Sequence, residues 1–288
     1  SFGSTSVVGN DVYLFGSGDT AARKYCYKYD TTSNTYTRML DIPYEFYSGS
    51  TSVVGTDIYV FGGGNTATTR TNCYKYDTIS NTYTKMLDIP YAFRNGSTSV
   101  IGNDVYLFSS TDAQKNCYKY DTMSNTYTKM LDIQYDASYV STSVIGNDVY
   151  LFGSSNATAR KNCYKYDTTS NAYTKMLDIP YEFYGGSTSV IGNDVFLFGG
   201  GAVATKTNCY KYGKTSMVDD GTFIIIKSSE HDGLHKTQFF QPPEDINPDY
   251  MGRIVSGFDD ALLYADNTMQ DSLPTYYGNG TEWIKFKN

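Results

Sequence analysis

The 288-residue sequence has no run of about 18 apolar residues, the length a helix needs to cross a bilayer. Charge is also scarce. Asp, Glu, Lys and Arg make up 18% of the chain, and 23 basic against 30 acidic residues leave a net charge of −7, which speaks against a general attraction to nucleic acid or membrane insertion. There are two histidines and no CxxC, HExxH, GxSxG or phosphate-loop pattern, so no metal, no cofactor and no catalytic residue is expected. The five cysteines, Cys26, Cys73, Cys117, Cys163 and Cys209, are an odd number spread one per repeat. That is a poor disulfide framework, and they read as buried small hydrophobes of a chain folded in reducing surroundings. No charged-then-apolar leader follows Ser1, and Phe2-Gly3 reads as the tail of a linker, so a piece of a longer or processed protein is expected.

What is plentiful is tyrosine, at 30 residues, set among Ser, Thr, Asn and Gly, a mixture that suits short strands and polar turns. Ser50 to Ile89 recurs almost verbatim, with copies starting at Ser4, Ser97, Ser141 and Ser187 and spacings of 46, 47, 44 and 46 residues. A period in that range marks stacked supersecondary units.

Each copy reads as four strands, here called a to d. In the first, Ser4 to Val8 and Val12 to Phe15 flank a Gly9-Asn10-Asp11 turn, and Cys26 to Tyr29 and Tyr36 to Leu40 flank Thr31 to Asn34. Strand b is apolar at successive positions, so both of its faces should be covered.

The order Val12 to Gly16, then Tyr29-Asp30, then Tyr36 and Met39 resembles the kelch repeat. The doubled glycine of that repeat stands at Gly62-Gly63 and Gly199-Gly200 and is degraded to Gly16-Ser17, Ser109-Ser110 and Gly153-Ser154. Its strand-d tryptophan is Tyr36, Tyr83, Tyr127 or Tyr173. The resemblance implies an all-β kelch-type β-propeller with four antiparallel strands per blade, and 288 residues divide into six units of 48, so a six-bladed propeller is expected as one domain over residues 1–288, with five or seven blades as the alternative counts. Blades are expected at about 4–43, 50–90, 97–134, 141–180, 187–227 and 251–288, with a long linker over 227–250. In this reading Phe223 to Ile226 is strand d of the fifth blade. Arg253 to Ser256, Ala261 to Tyr264, Thr275 to Tyr277 and Glu282 to Phe286 build the sixth, which packs on the first.

In such a meander the a-to-b and c-to-d turns share one face, and here they are monotonous. The b-to-c loops and d-to-a linkers share the other and vary, so recognition is expected there. Tyr47, Arg94, Tyr139 and Tyr184 are the variable linker candidates. The recurring Tyr44, Tyr91, Tyr135 and Tyr181 read as plugs between blades. Arg23, Arg70, Arg160 and Lys206, with Gln114 in the third copy, lie three residues before each Cys and could draw an anionic ligand or be solvated loop ends. Lys28 and its four equivalents read as structural, paired with acidic neighbours. His231 and His235 lie in the long linker as ligand candidates, with Gly233 between them arguing against a helical metal pair.

Aromatic platforms beside short polar side chains suit sugars, so the expected role is a non-enzymatic binding module. The YKYDTxSNTYTKMLDIPY wording also looks like kelch stretches in tail or surface proteins of phages of Gram-positive hosts. That implies receptor binding to a host surface glycan or protein, located on a virion tail or extracellular surface, with the rest of a longer tail or surface protein upstream. The alternative is a cytoplasmic kelch adaptor with a protein partner on the same face. A glycan-active enzyme would need converging carboxylates, which Glu45, Glu182, Glu230 and Asp136 do not announce.

Overall fold

A computed structural model of the chain describes residues 3–17, 23–201, 209–214, 223–227, 236–240 and 281–285. The described strands form five four-stranded antiparallel sheets and one two-stranded hairpin. The first sheet runs β1 (Ser4–Val8), β2 (Asp11–Phe15), β3 (Cys26–Asp30), β4 (Thr35–Arg38) in sequence order. The second is β5 (Ser50–Val54), β6 (Asp57–Phe61), β7 (Cys73–Asp77), β8 (Thr82–Lys85), and the third β9 (Ser97–Ile101), β10 (Asp104–Phe108), β11 (Cys117–Asp121), β12 (Thr126–Lys129). The fourth is β13 (Ser141–Ile145), β14 (Asp148–Phe152), β15 (Cys163–Asp167), β16 (Ala172–Lys175).

The fifth sheet departs from the expected plan. After β17 (Ser187–Ile191), β18 (Asp194–Phe198) and β19 (Cys209–Lys214), its outer strand is β22 (Thr281–Lys285). The expected outer strand instead becomes β20 (Phe223–Lys227), which pairs with β21 (Lys236–Phe240) as a separate hairpin. So the count is five sheets and not six, and part of the stretch expected to be linker is a strand. The register gives the reason. Tyr212 lies opposite Trp283 and Tyr210 opposite Lys285, just as Tyr29 lies opposite Tyr36 and Tyr27 opposite Arg38. An aromatic two residues before a cation fits this slot. Trp283-Ile284-Lys285 has that spacing, while Phe223 and Lys227 are four apart. The strands expected at Arg253 to Ser256, Ala261 to Tyr264 and Thr275 to Tyr277 lie outside the described residues.

The chain divides into two compact units, Ser1–Lys175 with Glu182–Gly185, and Met176–Tyr181 with Gly186–Asn288. The first holds sheets one to four, and the second holds sheet five and the hairpin.

Local chemistry sets each strand's ends. Gly9 turns β1 into β2 at φ 59°, a left-handed conformation that glycine adopts without a Cβ penalty. Between β3 and β4, Asp30 accepts backbone hydrogen bonds from Thr32 (2.8 Å) and Ser33 (3.0 Å). Those donors hold its carboxyl below the usual aspartate range. Lys28 on β3 pairs with Asp11 on β2 at 3.2 Å, and Lys75, Lys119, Lys165 and Lys211 repeat the pairing, as the sequence pattern predicts.

In the first unit the core lies in the seams between successive sheets. Tyr13, Phe15, Cys26 and Phe46 of one repeat pack with Ile58, Val60 and Tyr76 of the next, and the same arrangement recurs at the next two seams. Strand β6 is buried at four consecutive positions, Ile58 to Phe61, so its unbroken apolar run is covered on both faces. The innermost strands are joined by hydroxyls. Thr51 Oγ1 lies 2.8 Å from both Ser4 Oγ and Ser6 Oγ, and Thr98 and Thr142 repeat this toward the preceding sheet.

Candidate functional site

The linkers between sheets one to four, and the one leaving sheet four, are fastened to the b-to-c loops by backbone bonds. Phe46 N–H donates to Arg23 O (3.0 Å), Phe93 N–H to Arg70 O (2.9 Å), Ala137 N–H to Gln114 O (3.0 Å) and Phe183 N–H to Arg160 O (3.0 Å). Loops and linkers therefore share one side of the first unit.

On this side the recurring linker tyrosines act as plugs. The Tyr44 hydroxyl donates to Gly62 O at 2.6 Å and Tyr135 to Gly153 O at 3.2 Å, with the rings stacked on Tyr74 and Tyr164. Tyr91 does the same with Ser109 O, and within the second unit Tyr181 does so with Gly199 O. The following linker residues Phe46, Phe93, Ala137 and Phe183 are fully buried.

One residue further along, the chain reaches the variable positions. Tyr47, Arg94, Ser138 and Tyr184 are equivalent, and the next residues, Ser48, Asn95, Tyr139 and Gly185, all have φ between 55° and 60°. Those four are tied in series. Asn95 N–H donates to Ser48 O (2.8 Å), Tyr139 N–H to Asn95 O (3.0 Å) and Gly185 N–H to Tyr139 O (3.3 Å). A second set anchors the residue before: Gly64 N–H donates to Tyr47 O, Thr111 N–H to Arg94 O and Ser155 N–H to Ser138 O. The structure thus places Tyr139 on this hydrogen-bonded row and Tyr47, Arg94 and Tyr184 each one residue before it. Tyr139 stands one residue out of phase with the other three. It is 37% exposed, and it holds a left-handed backbone that bulky side chains avoid.

The arginines before each cysteine have mainly a fastening role. Arg23 bonds Glu45 (3.4 Å) and lies over the Tyr47 ring (5.1 Å), and Arg160 bonds Glu182 (2.7 Å) and lies over Tyr184 (4.9 Å). Each guanidinium clamps its linker through carboxylate and ring together. Arg70 bonds Asp112 of the next b-to-c loop at 2.9 Å. Lys206, His231 and His235 lie outside the described residues.

None of the five cysteines is in a disulfide, and Cys26, Cys73, Cys117 and Cys163 are buried, as the sequence suggested, whereas Cys209, also expected to be buried, is only half-buried. Burial pushes the Cys26, Cys73 and Cys117 thiols up to about 12, while the hydroxyls of Tyr83, Tyr127 and Tyr173 in the following sheets pull slightly the other way. Among the described residues no group of three or more His, Cys, Asp or Glu could hold a metal ion, and no helix is long and apolar enough to cross a membrane.

Residues 3–200 match the family described as the KLHDC2/KLHL20/DRC7 Kelch-repeats domain. The chain belongs to the kelch-repeat family. Its sheets are kelch blades, and its fold is the all-β kelch type. Among solved structures it is similar to one titled "Structure of YjhT", at 16% identity and a TM-score of 0.60, covering 69% of this chain and 72% of that one. At that identity the likeness concerns the fold alone. No curated protein matches the chain in sequence. Neither finding points to phage tail proteins, and kelch membership by itself is compatible with receptor binding and with a cytoplasmic adaptor.

Proposed function

We propose that this kelch protein is a non-enzymatic binding module that engages a surface glycan through the row Tyr47, Arg94, Tyr139 and Tyr184. The observation that carries the proposal is the fixed backbone beneath that row, Ser48 to Asn95 to Tyr139 to Gly185, which holds variable side chains on an invariant frame. Preorganised aromatics beside amide and hydroxyl groups suit sugar rings, whose C–H faces pack on the ring while hydroxyls take hydrogen bonds. The repeat wording suggests that the module is carried on a tail or cell-surface assembly, with a host surface glycan or protein as its receptor.

The deciding experiment is binding of fluorescently labelled protein to intact Gram-positive cells before and after removal of their surface polysaccharide. Strain-selective labelling that disappears on stripping, and that weakens in Tyr47→Ala and Tyr184→Ala, is the expected result. Labelling that survives stripping would point to a protein receptor, and no labelling of any strain would remove the receptor reading for those hosts. The buried thiols, none of them in a disulfide, favour a second reading, a cytoplasmic adaptor for a protein partner on the same face. Capture of a partner that depends on the same tyrosines, with no glycan bound, would establish it.

A further inference from the structure

The four linkers differ in charge as well as in shape, and one stands apart. In the first and fourth, a glutamate neutralises the loop arginine and a tyrosine lies beneath its guanidinium, giving Arg23 with Glu45 and Tyr47, and Arg160 with Glu182 and Tyr184. In the third, the loop position is Gln114, and Asp136 lies 3.8 Å from Lys115. In the second, the glutamate position is Ala92 and the tyrosine position is Arg94. One negative charge is missing and one positive charge is added at the place where the neighbouring repeats are balanced.

The consequence is a local excess of guanidinium in a chain of net charge −7. Arg70, left without a linker glutamate, takes Asp112 from the next loop and also reaches Asn65 O at 3.4 Å. Arg94 makes no ion pair among the described residues, and its Nε, like those of Arg23, Arg70 and Arg160, is buried without a hydrogen-bond partner. Its backbone is held at both ends, with N–H on Ser110 Oγ (3.1 Å) and C=O accepting from Thr111 N–H (2.9 Å). The next residue, Asn95, is fixed by its own side chain to Thr111 Oγ1 at 2.9 Å. A partly desolvated guanidinium carried on a fixed backbone, with no acid paired to it, is a strong site for a planar or tetrahedral anion.

We infer that Arg94, supported by Arg70 and flanked by Tyr139, is a subsite for an acidic group on the bound ligand, so that the glycan recognised carries carboxylate, sulfate or phosphate. The inference rests on the glycan reading above and sharpens it. Arg94 supplies a forked pair of donors to the anion, the Tyr139 ring offers a face to the adjoining sugar, and Arg70 adds positive potential without contributing its own free fork. The balanced linkers at Tyr47 and Tyr184 take the neutral part of the ligand.

The test uses an array of printed glycans in matched neutral and acidic forms, probed with the whole chain at low and high salt. Wild-type protein should retain the acidic members preferentially, with binding that weakens as salt rises. Arg94→Ala should bind acidic members about ten- to a hundredfold more weakly, the loss expected for one charge-assisted contact. Arg94→Lys should recover part of that, and Arg94→Tyr, which restores the residue of the first and fourth linkers, should shift preference to neutral members. Equal retention of neutral and acidic forms, or an Arg94→Ala protein that binds like wild type, overturns the anion subsite while leaving the glycan reading intact. Absence of binding to every printed glycan overturns both.

Discussion

Asn81 and Leu40 are joined across a blade boundary. The Asn81 side-chain oxygen, at the c-to-d turn of the second blade, accepts the Leu40 backbone N–H of the first blade at 2.9 Å and, on its own blade, the Tyr76 hydroxyl at 2.8 Å. Asn125 and Asn171 make the same double contact to Leu87 and Leu131. Asn34 of the first blade accepts from the Tyr29 hydroxyl, and among the described residues no backbone N–H reaches it.

That difference predicts an internal contrast. Asn81→Gly keeps the positive φ of 55° but gives up the Leu40 N–H bond to water and loses the Tyr76 hydroxyl bond, and should cost about 1–2 kcal/mol. Asn34→Gly should cost less, because one of the two bonds is missing there. Urea unfolding of both variants decides it, and equal losses would mean that the cross-blade bond adds little.

A second contrast concerns two glycines with nearly the same backbone. Gly62 (φ 58°) and Gly55 (φ 64°) are both left-handed, but a Cβ on Gly62 would stand 2.2 Å from the Phe93 carbonyl oxygen while one on Gly55 meets nothing within 4 Å. Gly55→Ala should therefore cost about 1–2 kcal/mol for the conformation alone. Gly62→Ala should cost about 3 kcal/mol or more, since backbone has to move. Thermal unfolding midpoints that fall equally would contradict the packing argument.

The third blade already carries a side chain at that place. Ser109 has φ 63°, its hydroxyl is buried without a partner, and the linker residue equivalent to Phe93 is Ala137. Ser109→Gly relieves the backbone and removes the orphan hydroxyl. A gain in stability of up to about 1 kcal/mol is expected, read as a higher denaturation midpoint, and a loss would show that the hydroxyl is needed.

Thiol chemistry gives a prediction in pH. The thiols of Cys26, Cys73 and Cys117 ionise near 9 when exposed and are pushed up to about 12 by burial. The unfolded chain thus loses these protons first as pH rises. Their contribution is whole below pH 9, declines above it, and is gone above about 12. Native protein should react with Ellman's reagent fastest at Cys209, which is less buried, and at the other four only as it unfolds. Rapid labelling of all five at pH 8 would show that the seams open readily.

Much of this was legible in the repeat. Successive apolar residues at Ile58 to Phe61, the cysteines, the Lys28-type pairs and the plugging tyrosines are each fixed by contacts within one unit or with its neighbour, so a 46-residue period exposes them. The linker register was less accessible: Tyr139 reads as the counterpart of Tyr47 until the backbone places it one step later, at the left-handed position, because φ is not written in side-chain type. The role of Arg23 and Arg160 as clamps depended on the carboxylate and ring lying within reach, which spacing alone does not give. The outer strand of the fifth blade is not legible because Phe223 to Ile226 has strong strand propensity, and pairing strands separated by 66 residues leave no local signature.

That last connection sets an order of assembly. In each of the first four blades the third and fourth strands are separated by four residues, so a blade is complete almost as soon as its segment of chain exists. In the fifth, 66 residues intervene between Lys214 and Thr281, and closing the longer loop costs about 2–3 kcal/mol more entropy. Strand pairing in the first four blades is therefore local in the chain, whereas β19 gains its outer partner only once the segment carrying Trp283 is present. Until then the unpaired outer edge of β19 is where a nascent chain would be open to capture by a neighbouring strand.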